Sequence, residues 1–375
     1  MHFKSEVSQC LAQQTQVSDA PEFVAGTFVW TLHDYMGEPG AFPHVSSSFG
    51  AIDLAGFAKP PAWWYRSVWL SAINASDAGR PPLKHDTTVR IVENWEAPKG
   101  EATTRTIHVY SNAASVSLEL NGKAVGGGAK PVADAPLGFA SFDVGFQPGT
   151  LTAKAMEGAT VLATHSIHSW GTAAAINLTM VRLSICTLRE GTRNLYGVIA
   201  GQDVPSLATG TGSAVFADGM DVALLRATIV DADGNTVLDS TANVTFTVSS
   251  GPGFVAGVGN GDPSCQEPSQ VSWRTSYHGL TRAIVRVTLD ASGTEAERAL
   301  RASVNVDSGK GKDSRSSSVV KGADSSFPKS FEVTASSEGL PPATFSVPLS
   351  TDPADAVLAV AAASVGSADT GRTDE

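Results

Sequence analysis

Between Trp30 and Glu38 the sequence places an indole and two carboxylates, Trp30, Asp34 and Glu38, on a short stretch of chain. Asp34 and Glu38 only accept hydrogen bonds when ionised, which suits paired donors such as vicinal hydroxyls. The plain alternative for a carboxylate in a loop is solvation. Trp30 offers a flat indole face that can stack on an apolar surface, and its plain alternative is a core tryptophan. His33 and His44 have no partner spacing for zinc and no nucleophile beside them, so both read as structural or exposed. Lys59, after the loop, reads as a solvated lysine.

The elements that position these groups are legible nearby. The run Phe23-Val24-Ala25-Gly26-Thr27-Phe28-Val29-Trp30 is apolar at nearly every position, the mark of a strand buried on both faces in a parallel sheet or barrel. A polar loop punctuated by Pro and Gly follows, from Gly37 to Ser48. Binding and catalytic groups gather at that C-terminal end of a barrel strand.

From Val89 onward the texture changes to short alternating strands separated by turn residues, the pattern of a β-sandwich. Strands are expected at Thr106–Tyr110, Val116–Leu120 and Leu151–Ala155, with Asn121-Gly122 as a hairpin turn because both residues tolerate positive φ. A second, immunoglobulin-like sandwich is expected from Ala223–Val230, Val244–Val248, Phe331–Ala335 and Thr344–Val347. Asp231-Ala232-Asp233-Gly234-Asn235 lacks the glutamate at position twelve that a calcium loop needs, and reads as a β-turn. The expected organisation is therefore mainly β. Residues 1–75 hold the buried strand of a parallel sheet or barrel and the loop after it, 86–178 form a small sandwich, 179–212 a linker or first strand, and 213–365 the second sandwich. A flexible insertion is expected at 307–326 and a disordered tail at 366–375.

Composition narrows the class. The chain has 375 residues, 17% charged and 42% hydrophobic, with net charge -11. That size calls for two or three domains, and the acidic balance opposes a nucleic-acid partner. The longest apolar stretches fall short of the ~20 residues that span a bilayer, and Met1–Gln14 has no apolar signal core. Compartment and oligomeric state stay open. Cys10, Cys186 and Cys265 are odd in number and widely spaced, and read as unpaired thiols. The sequons at Asn74, Asn177 and Asn243 are of a kind that arises by chance. Gly126-Gly127-Gly128 and Gly257–Gly261 open no helix and do not support a phosphate-cradling loop. Neither a metal nor a cofactor is implied.

The stretch from Phe23 through Trp30-Thr31-Leu32-His33-Asp34-Tyr35-Met36-Gly37-Glu38-Pro39 resembles the eighth barrel strand of glycoside hydrolase family 2. Ser46–Lys59 and Trp64–Trp69 are similar to the loop and closing helix that follow that strand. Downstream, Val89–Trp95, Val109–Asn112, Leu118–Lys123 and Pro148–Leu151 resemble the family's small sandwich. Val248–Gly253, Gly259–Pro263 and Tyr277–Ala283 are similar to its terminal, invasin-like sandwich.

The resemblance implies a fold of two immunoglobulin-like β-sandwiches preceded by the final βα unit of an incomplete TIM barrel. It implies the C-terminal portion of a β-galactosidase-type enzyme that hydrolyses β-linked sugars with retention, using two glutamates ~5 Å apart. Those glutamates belong to earlier strands. Glu6, Asp19 and Glu22 do not sit in the family's Asn-Glu or Ser-Glu-Thr context, so no residue here is expected to be catalytic. Trp30 falls where the family places an aromatic platform under the sugar, which makes Trp30, Asp34 and Glu38 the candidate substrate-binding residues. Lys59 lies in Phe57-Ala58-Lys59-Pro60-Pro61, without the family's Asn-x-Lys signature for glucuronate. A lone βα unit exposes its strand edges, so residues 1–70 are expected to pack poorly. The alternative is a non-catalytic carbohydrate-binding or architectural module, marked by a row of exposed aromatics on one sandwich face. Trp95, Trp170 and Trp273 are isolated and read as core.

Overall fold

The computed structural model describes residues 29–76, 87–98, 103–132, 138–181, 215–216, 222–287 and 328–350. These fall into two compact units, the first ending at Gly171 and the second beginning at Thr172, with Leu54–Gly56 grouped with the second. The architecture is mainly β, with several antiparallel sheets.

In the first unit, residues 31–34 and 51–53 lie side by side, joined by hydrogen bonds from Ile52 N to Leu32 O (2.8 Å) and Asp34 N to Ile52 O (2.8 Å). The strand expected over 23–30 lies, up to Phe28, outside the described residues. Helix α1, Pro60–Ser76, opens on two prolines, whose fixed φ and missing N–H suit a first helical turn. It buries Trp63, Trp64, Tyr65 and Ser67, while Trp69 stays exposed. The guanidinium of Arg90 sits 4.8 Å from the centre of the Trp63 ring, and Arg66 bonds to the Thr88 hydroxyl. Poor packing expected over residues 1–70 therefore does not describe Ala51–Ser67, because α1 finds partners in the neighbouring sandwich; residues 1–28 lie outside the described residues.

The small sandwich has one sheet of β1 (Val89–Ile91), β2 (Thr104–Ser111) and β5 (Phe139–Gly145), in the order β1-β2-β5. The other contains β3 (Ser115–Leu120), β4 (Lys123–Pro131), β6 (Thr150–Glu157) and β7 (Thr160–His168), in the order β4-β3-β6-β7. Strands β3, β5 and β6 bury alternate residues, as a sheet with one face on the core must. Ile107, Val109, Val116, Leu118, Phe142, Leu151 and Trp95 form that core, each large side chain contributing about 1.5–3 kcal/mol by leaving water. Trp95 is fully buried and its Nε1 donates to Gln147 O at 2.9 Å, so the indole's polar edge is also satisfied. The turn Asn121-Gly122 joins β3 to β4 with φ of 52° and 77°. Asn121 also accepts from Thr150 N at 2.9 Å, tying the turn to β6.

The second sandwich faces a four-stranded sheet with a five-stranded one. The first sheet holds β8 (Ala175–Val181), β10 (Val222–Val230), β12 (Gly253–Gly259) and β14 (Leu280–Val287), in the order β12-β14-β10-β8. The second holds β9 (Val215–Phe216), β11 (Asn243–Ser250), β13 (Trp273–Thr275), β15 (Ser330–Ser337) and β16 (Leu340–Ser350), in the order β13-β11-β15-β16-β9. Leu225, Ile229, Val285, Phe246, Phe331 and Val333 are its buried core. After β10 the Asp231 carboxylate accepts from Asp233 N (3.0 Å) and Asn235 N (2.8 Å), which closes the turn locally.

One boundary is corrected. The small sandwich was expected to run to Leu178, yet Ala175–Val181 pairs along its whole length with β10, from Val230↔Ala175 to Leu224↔Val181. Alternation marks this segment as a strand but says nothing about which sheet receives it. Most of the linker expected at 179–212, the insertion at 307–326 and the tail at 366–375 lie outside the described residues.

Candidate functional site

The candidate site is the loop system from Trp30 to Lys59. Asp34 is buried, and Lys59 Nζ approaches both of its carboxylate oxygens at 2.8 Å. The Gly50 N–H donates to Asp34 Oδ1 at 2.7 Å, and Lys59 Nζ also donates to Ser48 O at 2.9 Å. One carboxylate thus gathers the start, middle and end of the loop system. Burial of such a charge is tolerable because it is paired and hydrogen-bonded. Gly50 is required by close approach: a Cβ there would stand 2.3 Å from Asp34 N.

Lys59 is therefore an anchored lysine and not the solvated one expected. Its neighbours explain why. Lys59 N donates to Ala51 O at 2.9 Å, and Asp53 and Phe57 form a tight turn, with Asp53 N to Phe57 O and Phe57 N to Asp53 Oδ1 both at 2.9 Å. That turn folds Lys59 back toward Asp34. His33 has its pKa held below the ordinary value by burial, against opposing contributions from the Asp53 backbone and the Asp34 charge.

Glu38, four positions along, has the opposite environment. It is exposed, and its backbone takes φ 42° after Gly37 at φ 111°. The Tyr35 hydroxyl donates to Glu38 Oε2, and Trp30 Nε1 donates to Tyr35 Oη at 3.2 Å. A relay of donors therefore runs from indole to phenol to carboxylate. The Glu38 carboxylate raises the Tyr35 pKa above its ordinary value, reinforced by desolvation and opposed by the Trp30 N–H. Tyr35 packs edge-on to Trp30 (centroids 6.2 Å apart) and to Phe49 (5.8 Å), while its own N–H is held by Ser47 Oγ at 2.9 Å. The Trp30 side of this wall is open, the residue being 72% exposed.

The three candidates thus separate. Trp30 and Glu38 share one exposed arrangement through Tyr35, and Asp34 lies beneath it with its oxygens engaged. Tyr35, Gly50 and Phe49 were not singled out from the sequence. Gly50 had a signal in being a glycine followed by an apolar pair, but its close approach to Asp34 is not local information. Among the described residues no group of three or more His, Cys, Asp and Glu could hold a metal ion. No helix among them is long and apolar enough to cross a membrane.

Comparison with known proteins adds family evidence. Residues 208–303 match the family described as glycoside hydrolase family 2 C-terminal domain 5, and residues 102–163 match a domain of unknown function, DUF4982. The chain is 29% identical to beta-galactosidase BoGH2A of Bacteroides ovatus over 267 residues, which is 71% of this chain and 26% of that protein. It is 33% identical over 107 residues to a putative beta-glucuronidase of Formosa agariphila, covering 27% of this chain and 9% of the relative. Among solved structures, a glycosyl hydrolase family 2 member from Bacteroides cellulosilyticus matches 92% of this chain and 38% of its own, with a TM-score of 0.61 at 20% identity. A beta-glycosidase from Bacteroides vulgatus matches 90% of this chain and 32% of its own, with a TM-score of 0.60 at 19% identity. The chain spans about a quarter of the first of these relatives. At these identities the structural likeness speaks for the fold.

Proposed function

Because the chain belongs to glycoside hydrolase family 2, as its C-terminal region, we propose that it is the C-terminal portion of a retaining, β-galactosidase-like enzyme acting on O-glycosidic bonds. Its role is to supply one aromatic wall of the sugar site, together with the small sandwich of the same unit. The observation that supports this is the exposed Trp30 indole, held by Tyr35 and flanked by the Glu38 carboxylate. Such a surface offers a stacking face beside an acceptor for hydroxyl protons. Asp34 takes a positioning role, since Lys59 and Gly50 occupy its oxygens.

The acid/base and nucleophile glutamates of the parent come, in this reading, from other barrel strands. Retaining chemistry needs two carboxyl groups ~5 Å apart with room for a sugar between them, and Asp34 is committed to its lysine. The chain alone is therefore inactive. The test is hydrolysis of 4-nitrophenyl β-galactoside by the purified chain. The expected result is no turnover above buffer; turnover that disappears in Glu38→Gln would overturn the reading.

A further inference from the structure

We propose that Asn177 and Asn243 of the second unit carry N-linked glycans. Each opens a sequon, Asn177-Leu178-Thr179 and Asn243-Val244-Thr245. Chance can write a sequon, but it does not choose how the fold presents one. Elsewhere in the molecule asparagine side chains brace the backbone. Asn112 accepts from Thr88 N, and Asn121 accepts from Thr150 N while donating to Pro148 O. Asn235 Nδ2 donates to Asp231 Oδ2, and Asn260 Nδ2 donates to Thr275 O. Asn177 and Asn243 are exposed and make no side-chain hydrogen bond among the described residues.

Both residues stand in strands, where asparagine is disfavoured. Asn177 is the third residue of β8, opposite Thr228 of β10, and points outward between the buried Ile176 and Leu178. Asn243 opens β11, opposite Thr275 of β13, and precedes the buried Val244. Strand β8 lies at the end of its sheet among the described residues, with β10 beside it. An N-linked glycan is bulky and needs such surface positions.

Thr179 points the same way. Its Oγ1 is buried with no partner among the described residues, and valine has nearly the same shape with no hydroxyl to strand. The sequon accounts for that hydroxyl, because acceptor recognition needs one two residues after the asparagine. It also orders the events: folded β8 hides Thr179 Oγ1, so the transfer precedes pairing with β10. In the transfer the Asn177 carboxamide nitrogen bonds to C1 of an oligosaccharide carried on a lipid pyrophosphate. The bond from C1 to the pyrophosphate oxygen breaks, the lipid pyrophosphate leaves with the electron pair, and the nitrogen gives its proton to a base of the transferase.

The experiment takes the native protein from its source. Its tryptic peptides are treated with a peptide N-glycosidase in heavy-oxygen water, which turns each glycosylated asparagine into a labelled aspartate, and are mapped by mass spectrometry. A parallel digest without the glycosidase subtracts spontaneous deamidation. The expected result is label at positions 177 and 243 and none at Asn94, which is half-buried and followed by Trp95-Glu96. Thr179→Val, made in the same cells, should lose the label at Asn177 and keep it at Asn243. An unlabelled asparagine at either position in the native protein overturns the assignment there, and label that persists at Asn177 in Thr179→Val overturns the role given to the threonine.

Discussion

Gly50 and Asp34 lie so close that a single added carbon would not fit: a Cβ on Gly50 would stand 2.3 Å from the Asp34 amide nitrogen and 2.7 Å from Oδ1. The same approach lets the Gly50 N–H reach the carboxylate, so contact and hydrogen bond are two aspects of one geometry. Gly50→Ala is expected to destabilise the first unit by about 1–3 kcal/mol, the usual range for forced overpacking. Urea unfolding measures this. A variant as stable as the parent would mean that the two segments can part without cost.

Lys59→Met removes the cation and leaves Asp34 buried without it. Truncating one partner of a buried pair costs about 3–5 kcal/mol, and the part-exposed Lys59 side chain puts the expectation at the low end of that range. Hydrogen exchange of the Gly50 amide should quicken in this variant, since its acceptor loses its anchor. Unchanged exchange at Gly50 would show that Asp34 holds the loop without help from Lys59.

Trp95→Ala opens a cavity at the centre of the small sandwich, with an expected loss of about 3–5 kcal/mol. Trp95→Phe should cost less, since it keeps most of the apolar volume and loses the bond to Gln147 O. Thermal melts of the two variants should rank in that order, and equal losses would mean that the hydrogen bond to Gln147 O, which both variants lack, outweighs the packing.

His165 is half-buried and its pKa is held well below the ordinary value, first by desolvation and then by the charges of Arg90 and His168. Ile91 N donates to its Nδ1 at 3.2 Å, a bond that needs the ring unprotonated at that nitrogen. The unfolded chain, with a histidine pKa of about 6.5, binds this proton more readily than the folded one. Stability from this group is therefore full above about 6.5 and is lost as pH falls from there toward the lower folded value. Denaturant midpoints between pH 5 and 8 should show that decline. His165→Asn, which keeps an acceptor and cannot titrate, should flatten it; an equal slope in the variant would assign the decline to other groups.

The sequence by itself determined seven of the strands, those at 106–110, 116–120, 151–155, 223–230, 244–248, 331–335 and 344–347, because alternation with period two is a local consequence of burying one sheet face. It also determined the Asn121-Gly122 turn, since few residue pairs accept φ of 52° and 77°. The loop holding Trp30, Asp34 and Glu38 was legible as a cluster of suitable chemistry. What only the tertiary structure decided was the use of each group. Asp34 and Glu38 carry the same charge four positions apart, yet Asp34 is buried against a lysine 25 residues along the chain while Glu38 stays exposed beside Tyr35. Strand β8 likewise went to the second sandwich, through its register with β10. Residue type and spacing report what a side chain can do; burial and pairing depend on segments distant in sequence, and those decide what it does.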